Sequence, residues 1–243
     1  MTDSLRLAVL SDIPEIRPGD DLPGLLAERV PQGPGVLVVA QKVVSKAEGR
    51  VVRLDDVEPS ERAREVAKAV EKDPRQVELV LRESRRIVRQ VPGVLITETH
   101  HGLICANSGV DLSNAAGEPG EDMAVLLPED PDASAERIRA RLGPGRGVIV
   151  SDTFGRPWRE GLVDVAIGVA GLAPLRDFTG ETDREGRELQ ITVMALADQL
   201  ATAAGILMEK SAGRPAVWIE GIEPAGSGRL ADLLRDPERD LFR

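Results

Sequence analysis

The run Gly35-Val36-Leu37-Val38-Val39-Ala40 contains only glycine and aliphatic side chains. A strand with one wet face would alternate polar and apolar residues, so this run suits a strand covered on both faces. Gln41-Lys42-Val43-Val44-Ser45-Lys46 reads as its continuation, and Glu48-Gly49 as a turn into a strand over residues 50–54. A second buried-type run, Gly147-Val148-Ile149-Val150-Ser151, delivers Asp152-Thr153 at its carboxyl end.

Outward from these two runs, residues 5–10 read as a strand, 13–21 as a Pro/Gly/Asp-rich loop and 21–30 as a short helix. Residues 59–90 are helical in pattern, with a break near Asp73-Pro74. Strands are expected at 94–99 and 103–106, on either side of a His100-His101-Gly102 corner. A charged helix over 130–142 is closed by Gly143-Pro144-Gly145. A long alanine-rich helix is expected over 189–209, then a polar turn and a strand over 216–220. This mixed order predicts an α+β, irregular mixed α/β fold and not a regular βαβ array.

Composition narrows the function. The 243 residues are 42% hydrophobic and 30% charged, enough for a sizeable core in one large domain or two smaller ones. Aromatics are only 2%, with no tyrosine, which disfavours stacking on single-stranded nucleic acid. A net charge of −10 repels phosphate backbones and anionic lipid, so neither nucleic acid nor membrane is expected as partner. No apolar run is long enough to span a bilayer and no signal peptide is recognisable, so a cytoplasmic location is expected. The one cysteine, Cys105, excludes an internal disulfide and reads as a small buried residue.

The chain has no G-x-x-x-x-G-K-[ST] phosphate loop, no G-x-G-x-x-G turn, no H-E-x-x-H and no G-x-S-x-G. Its two histidines, His100 and His101, suit a polar turn. Phosphate or metal chemistry must therefore use oxygen ligands with Lys and Arg. Three segments offer them. Residues 43–50 group Ser45, Lys46 and Gly49 at the end of an apolar run, able to meet phosphate oxygens; a solvated hairpin lysine is the plain alternative. Residues 107–114 place Asp111 among small polar residues, suiting Mg²⁺ or Mn²⁺, or equally a self-satisfied Asx-turn. Residues 151–161 put Asp152 and Thr153 just before Arg156 and Arg159, a carboxylate for metal beside guanidinium for phosphate.

Taken in order, several pieces resemble the coenzyme F420-0:L-glutamate ligase family in its stand-alone form. They are Ile13-Pro14-Glu15-Ile16 with Gly19-Asp20-Asp21-Leu22, Lys42-Val43-Val44-Ser45-Lys46 with Glu48-Gly49-Arg50, and Gly109-Val110-Asp111 with Ser113-Asn114. Asp152-Thr153, Gly155-Arg156, Trp158-Arg159, Asp164, Ala166-Ile167-Gly168 and Gly171-Leu172 complete the set, which spans residues 13–220.

The resemblance implies a two-domain subunit with neither P-loop nor Rossmann fold, in an intertwined homodimer. Its subdomains would be residues 1–90 with 190–243, and residues 91–189. It implies GTP as co-substrate, Mg²⁺ or Mn²⁺, with K⁺ a further candidate, and F420-0 and L-glutamate as substrates. Asp111, Asp152 and Thr153 match the metal positions. A further metal ligand is expected from the turn after the long helix, at Glu209, with Lys210 as the alternative. Ile13, Pro14, Glu15, Ile16, Lys46, Asn114, Met208, Glu209, Lys210, Ser211, Ala212, Gly213, Arg214 and Pro215 match the guanine-nucleotide site. Gln41 falls there too, where relatives often carry a small hydroxyl residue. The implied chemistry is an acyl phosphate on F420-0 captured by glutamate's amine, with Lys46 and Arg156 steadying phosphate oxygens. The alternatives are a same-fold amide ligase for another carboxylate, and a deazaflavin- or nucleotide-binding protein without turnover.

Overall fold

The computed structural model describes residues 4–112 and 122–240. Its centre is a five-stranded sheet, ordered β1 (Arg6–Val9), β12 (Ala216–Glu220), β2 (Gly35–Ala40), β8 (Arg146–Arg156) and β9 (Arg159–Ala170). Only β2 and β8 run parallel; the other neighbours are antiparallel.

The apolar run of β2 is buried from Gly35 to Val39, with Ala40 partly buried, because the sheet is covered on both sides. Val36 and Val38 pack on one face with α6 (Leu196–Met208), through Ala197, Leu200, Ala201 and Ala204. Leu37 and Val39 point to the other face. There they meet α1 (Leu22–Ala27) and α5 (Pro131–Leu142) through Leu22, Leu26, Ile138 and Leu142. Alanine on α6 lets that helix lie close to the sheet. Asp130 accepts from the Ala133 amide and Pro131 opens the first turn, so α5 starts where its sequence directs.

A second core lies over α3 (Glu61–Val70) and α4 (Pro74–Arg82), built from Val66, Val70, Val77, Val80, Leu95, Val110 and Leu126. These helices pack with the three-stranded sheet β4 (Ser84–Val91), β5 (Val94–Thr99) and β6 (Ile104–Ala106). The short ladder of β3 (Val51–Arg53) and β7 (Met123–Val125) leads towards it from α2 (Gln41–Ala47). A small hairpin pairs β10 (Arg176–Asp177) with β11 (Val193–Met194). Residues 146–151 of β8 pair with Gly35–Ala40, and β9 pairs with β8, so the central sheet takes strands from both sides of the expected subdomain division at residues 90 and 91.

Three sequence expectations need correction. Residues 41–47 are the helix α2, not more strand: Val43, Val44 and Ala47 recur at helical spacing and pack on the core. Residues 84–91 leave the helical pattern for β4, which turns at Pro92-Gly93, Gly93 taking φ +79°, to pair with β5. Its arginines had concealed a strand built around Ile87 and Val88. The long helix starts at Leu196, because Val193 and Met194 are used as the edge strand β11.

Candidate active site

Asp111 reaches the site through an unusual turn. Asn107, Ser108 and Gly109 all take positive φ, at 51°, 51° and 71°. Left-handed backbone is disfavoured for Asn and Ser, so other contacts must hold it. Thr97 Oγ1 accepts from the Ser108 amide at 2.9 Å and lies 2.7 Å from its Oγ, both buried. A Cβ on Gly109 would come within 2.7 Å of Leu127. Beyond this turn Asp111 exchanges backbone hydrogen bonds with Val125, at 3.0 and 2.8 Å. Its carboxylate accepts an ion pair from Lys42 Nζ at 2.7 Å.

Asp152 and Thr153 lie on β8 where the strand runs past the edge of β2, as sequence placed them at a strand's end, although β8 itself continues to Arg156. Burial pushes the Asp152 carboxyl up to about 6. The Thr153 amide and the Lys210 charge oppose the shift, whereas Asp111 and Asp164 add to it. The Thr153 hydroxyl donates to Asp164 Oδ1 and accepts from the Lys210 ammonium. Lys46 arrives from the last turn of α2, buried, and pairs with Glu15. Gln41 opens the same helix, its Oε1 accepting from Ser45 Oγ at 2.8 Å.

These groups line one cleft of about 690 Å³. It gathers Ile13, Pro14, Glu15, Ile16, Gln41, Lys46, Asp111, Asp152 and Thr153 with Met208, Glu209, Lys210, Gly213, Arg214 and Pro215. Pieces distant in sequence, predicted separately, therefore meet in space. Ser211 and Ala212 belong to the same turn without lining the cleft, and Asn114 lies outside the described residues. Arg156 is not part of the lining; its Nη2 donates to the Glu160 carbonyl at the hairpin end. In the 208–215 turn, Glu209 pairs with Arg214 at 3.5 Å, and Lys210 is the residue that reaches Thr153. Two charged cleft residues fell outside the sequence-derived site, Lys42 and Asp164. Lys42 follows Gln41 directly. Asp164 is set by its cross-strand pairing with Thr153, which residue spacing does not reveal.

Cys105 is buried as expected, its thiol pushed up to about 12 by burial and then by the Asp152 charge, which makes it a poor nucleophile. His100 and His101 hold backbone carbonyls, of Arg82 at 2.8 Å and of Pro128 and Glu129 at 3.0 Å, in keeping with a polar corner.

The cleft's donor chemistry fits a hard divalent cation. Asp111, Asp152 and Asp164 face it with the Thr153 hydroxyl and with no thiol or imidazole in the lining, and the Asp111 and Asp164 carboxylates raise the cost of ionising Asp152. Among the described residues, no group of three His, Cys, Asp or Glu is arranged to hold a metal ion by itself.

The family described as F420-0:Gamma-glutamyl ligase matches residues 11–221, which contain every cleft element. The chain belongs to this family. The ligase is 48% identical to the coenzyme F420:L-glutamate ligase of Methanopyrus kandleri over 240 residues, covering 94% of each chain. It is 41% identical to the protein of that name from Methanothermobacter thermautotrophicus, covering 98% and 99% of the two chains. The like-named protein of Archaeoglobus fulgidus is 42% identical, with 95% and 93% covered. This ligase is accordingly an enzyme, and no helix among its described residues is long and apolar enough to cross a membrane.

Proposed function

We propose that the enzyme joins L-glutamate to the terminal carboxylate of coenzyme F420-0 at the expense of GTP. The observation that carries this reading is the convergence of Lys46, Asp111, Asp152 and Thr153 with residues 13–16 and the 208–215 turn on one cleft. In an ordinary nucleotide fold a glycine-rich loop would cradle the triphosphate. Here the buried Lys46 and neighbouring Lys42 bring ammonium groups to the same wall.

A carboxylate oxygen of F420-0 attacks the γ-phosphorus in line, and the bond to GDP breaks. Glutamate's amine then attacks the acyl carbon, the amide forms, and phosphate leaves with the amine losing a proton. Lys46 and Lys42 steady the phosphate oxygens, while residues 13–16 and the 208–215 turn enclose the nucleotide. Asp111, Asp152 and Thr153 would hold a Mg²⁺ or Mn²⁺, which would supply neutralisation of the phosphate charge. The product ends in fresh carboxylates, so a repeated cycle extends a γ-glutamyl tail. Glu209 is engaged with Arg214, whereas Lys210 stands beside Thr153, which favours Lys210 over Glu209 as the group from that turn that meets Thr153.

We further propose a homodimer, carried by the β8–β9 hairpin. Its two-residue turn puts Trp158 at φ 63° and 85% exposed, and Leu162 nearby is 65% exposed. An indole held in left-handed backbone and turned to solvent suits a surface that a second copy covers.

The test of the reaction is mass spectrometry of F420-0 incubated with enzyme, L-glutamate, GTP and Mn²⁺. Glutamylated F420-0 with matching GDP and phosphate is the expected product, and ATP should support little turnover. Product with ATP as efficient as with GTP removes the guanine assignment; no added glutamate removes the reaction.

A further inference from the structure

Thr153 and Asp164 face each other directly across β8 and β9. A threonine hydroxyl has a single proton, and here Thr153 donates it to Asp164 Oδ1. Its oxygen is then left only to accept, and the ammonium it accepts from is that of Lys210. Asp164 is itself held from two sides. Its backbone carbonyl accepts from Thr202 Oγ1 on α6 at 2.7 Å, and two residues on, the Ala166 amide is bound by Asp198 of that helix at 2.9 Å. Its carboxylate enters the one place on the facing turn of α6 where no side chain stands. A Cβ on Gly205 would lie 1.8 Å from Asp164 Oδ2. Gly205 lies in the last turn of α6 without a positive φ, so no backbone need calls for glycine where alanine is the better helix former. Its presence is accounted for by the room it makes.

We propose that Asp164 is a positioning residue that fixes the proton of Thr153, so that the hydroxyl oxygen presents only lone pairs to the cleft, and that Gly205 is the gap that admits it. Deprived of Asp164, the hydroxyl is free to turn its proton into the cleft, where it opposes a cation and the Lys210 ammonium alike. The inference rests on Thr153 serving the nucleotide and cation site proposed above.

The test uses the whole enzyme, with melting temperature as the fold control, and reads kcat, the KM for GTP and the Mn²⁺ concentration giving half-maximal turnover. Asp164→Ala and Gly205→Ala should each lower turnover by about ten- to a hundredfold, the scale of one charge-assisted contact, and raise the Mn²⁺ requirement. Asp164→Asn keeps an acceptor oxygen and should recover most of the loss seen with Asp164→Ala. In a Thr153→Val background, Asp164→Ala should add little, because it acts through a hydroxyl already removed. If the two losses multiply, Asp164 does not act through Thr153. Failure of Asp164→Asn to improve on Asp164→Ala makes Asp164 a direct ligand and also overturns the proposal. Wild-type turnover and Mn²⁺ requirement in Thr153→Val alone would instead remove Thr153 from the site, a failure of the underlying reading.

Discussion

Lys46 sits 7% exposed with Glu15 as its ion-pair partner, so its charge is poorly screened and can act strongly on a phosphate that enters the cleft. Lys46→Ala should weaken GTP binding by about 1.5–3 kcal/mol, roughly ten- to a hundredfold, in calorimetry of the folded protein. Unchanged affinity would leave Lys46 with only a structural pairing to Glu15. Asp152 gives a pH signature. Its folded carboxyl ionises near 6 against an ordinary 3.8, so the anion is disfavoured by folding. The stability it lends is whole below pH 3.8 and is lost as pH rises through about 6. The penalty above that window is about 3 kcal/mol. Asp152→Asn should therefore raise the melting temperature of chelator-treated protein at pH 8 and change it little at pH 4; an equal effect at both values contradicts the assignment. Residue types were the most legible part of the site. Lys46, Asp111, Asp152 and Thr153 stood out because a chain poor in histidine and cysteine leaves only oxygen and ammonium to do phosphate chemistry. Asp164 formed part of the family resemblance but was given no role, since its meaning lies in a partner across the sheet and a missing Cβ on a helix.

Elements were legible where a local signal governs them. The break at Asp73-Pro74 is an N-cap with proline at the first helical position, and Asp73 accepts from the Arg75 amide at 2.7 Å. Local signals failed where tertiary pairing decides, as in β4, whose arginines suit a helix surface until Arg86 meets Glu98 at 2.8 Å across the sheet. One part-buried junction joins α3 to α4. Ser60 caps α3, and its amide and hydroxyl both donate to Glu78 of α4, at 2.9 and 2.6 Å. The Ser60 groups, aided by Arg82, hold the Glu78 carboxyl down at about 2. Its contribution is therefore present above the ordinary 4.5 and is lost as pH falls towards 2. Ser60→Ala should cost about 1–2 kcal/mol in urea unfolding at pH 7. Glu78→Gln should also destabilise at pH 7, with the difference from wild type shrinking below pH 4.5 and closing as pH falls through about 2. A cost that stays constant down to pH 2 would show that Glu78 acts through packing alone.

At the scale of the whole molecule, the central sheet takes strands from both ends and the middle of the chain. What sequence order did carry was the set of segments that the fold draws to one cleft. The exposed hairpin tip extends that logic to a second copy. Trp158→Asp should shift sedimentation from dimer towards monomer without lowering helix content, and an unmoved sedimentation coefficient would place the interface elsewhere. The cleft itself is tested most directly by turnover of F420-0, L-glutamate and GTP in Asp111→Asn and Asp152→Asn. Each variant keeps the side-chain size and removes one negative charge where the cation and triphosphate are placed. Turnover should fall by orders of magnitude in both, with each variant folded and Asp152→Asn no less stable than wild type at pH 8 without metal. Near-normal turnover in both variants would contradict the account, because the chemistry would then lie outside the cleft that Asp111 and Asp152 share.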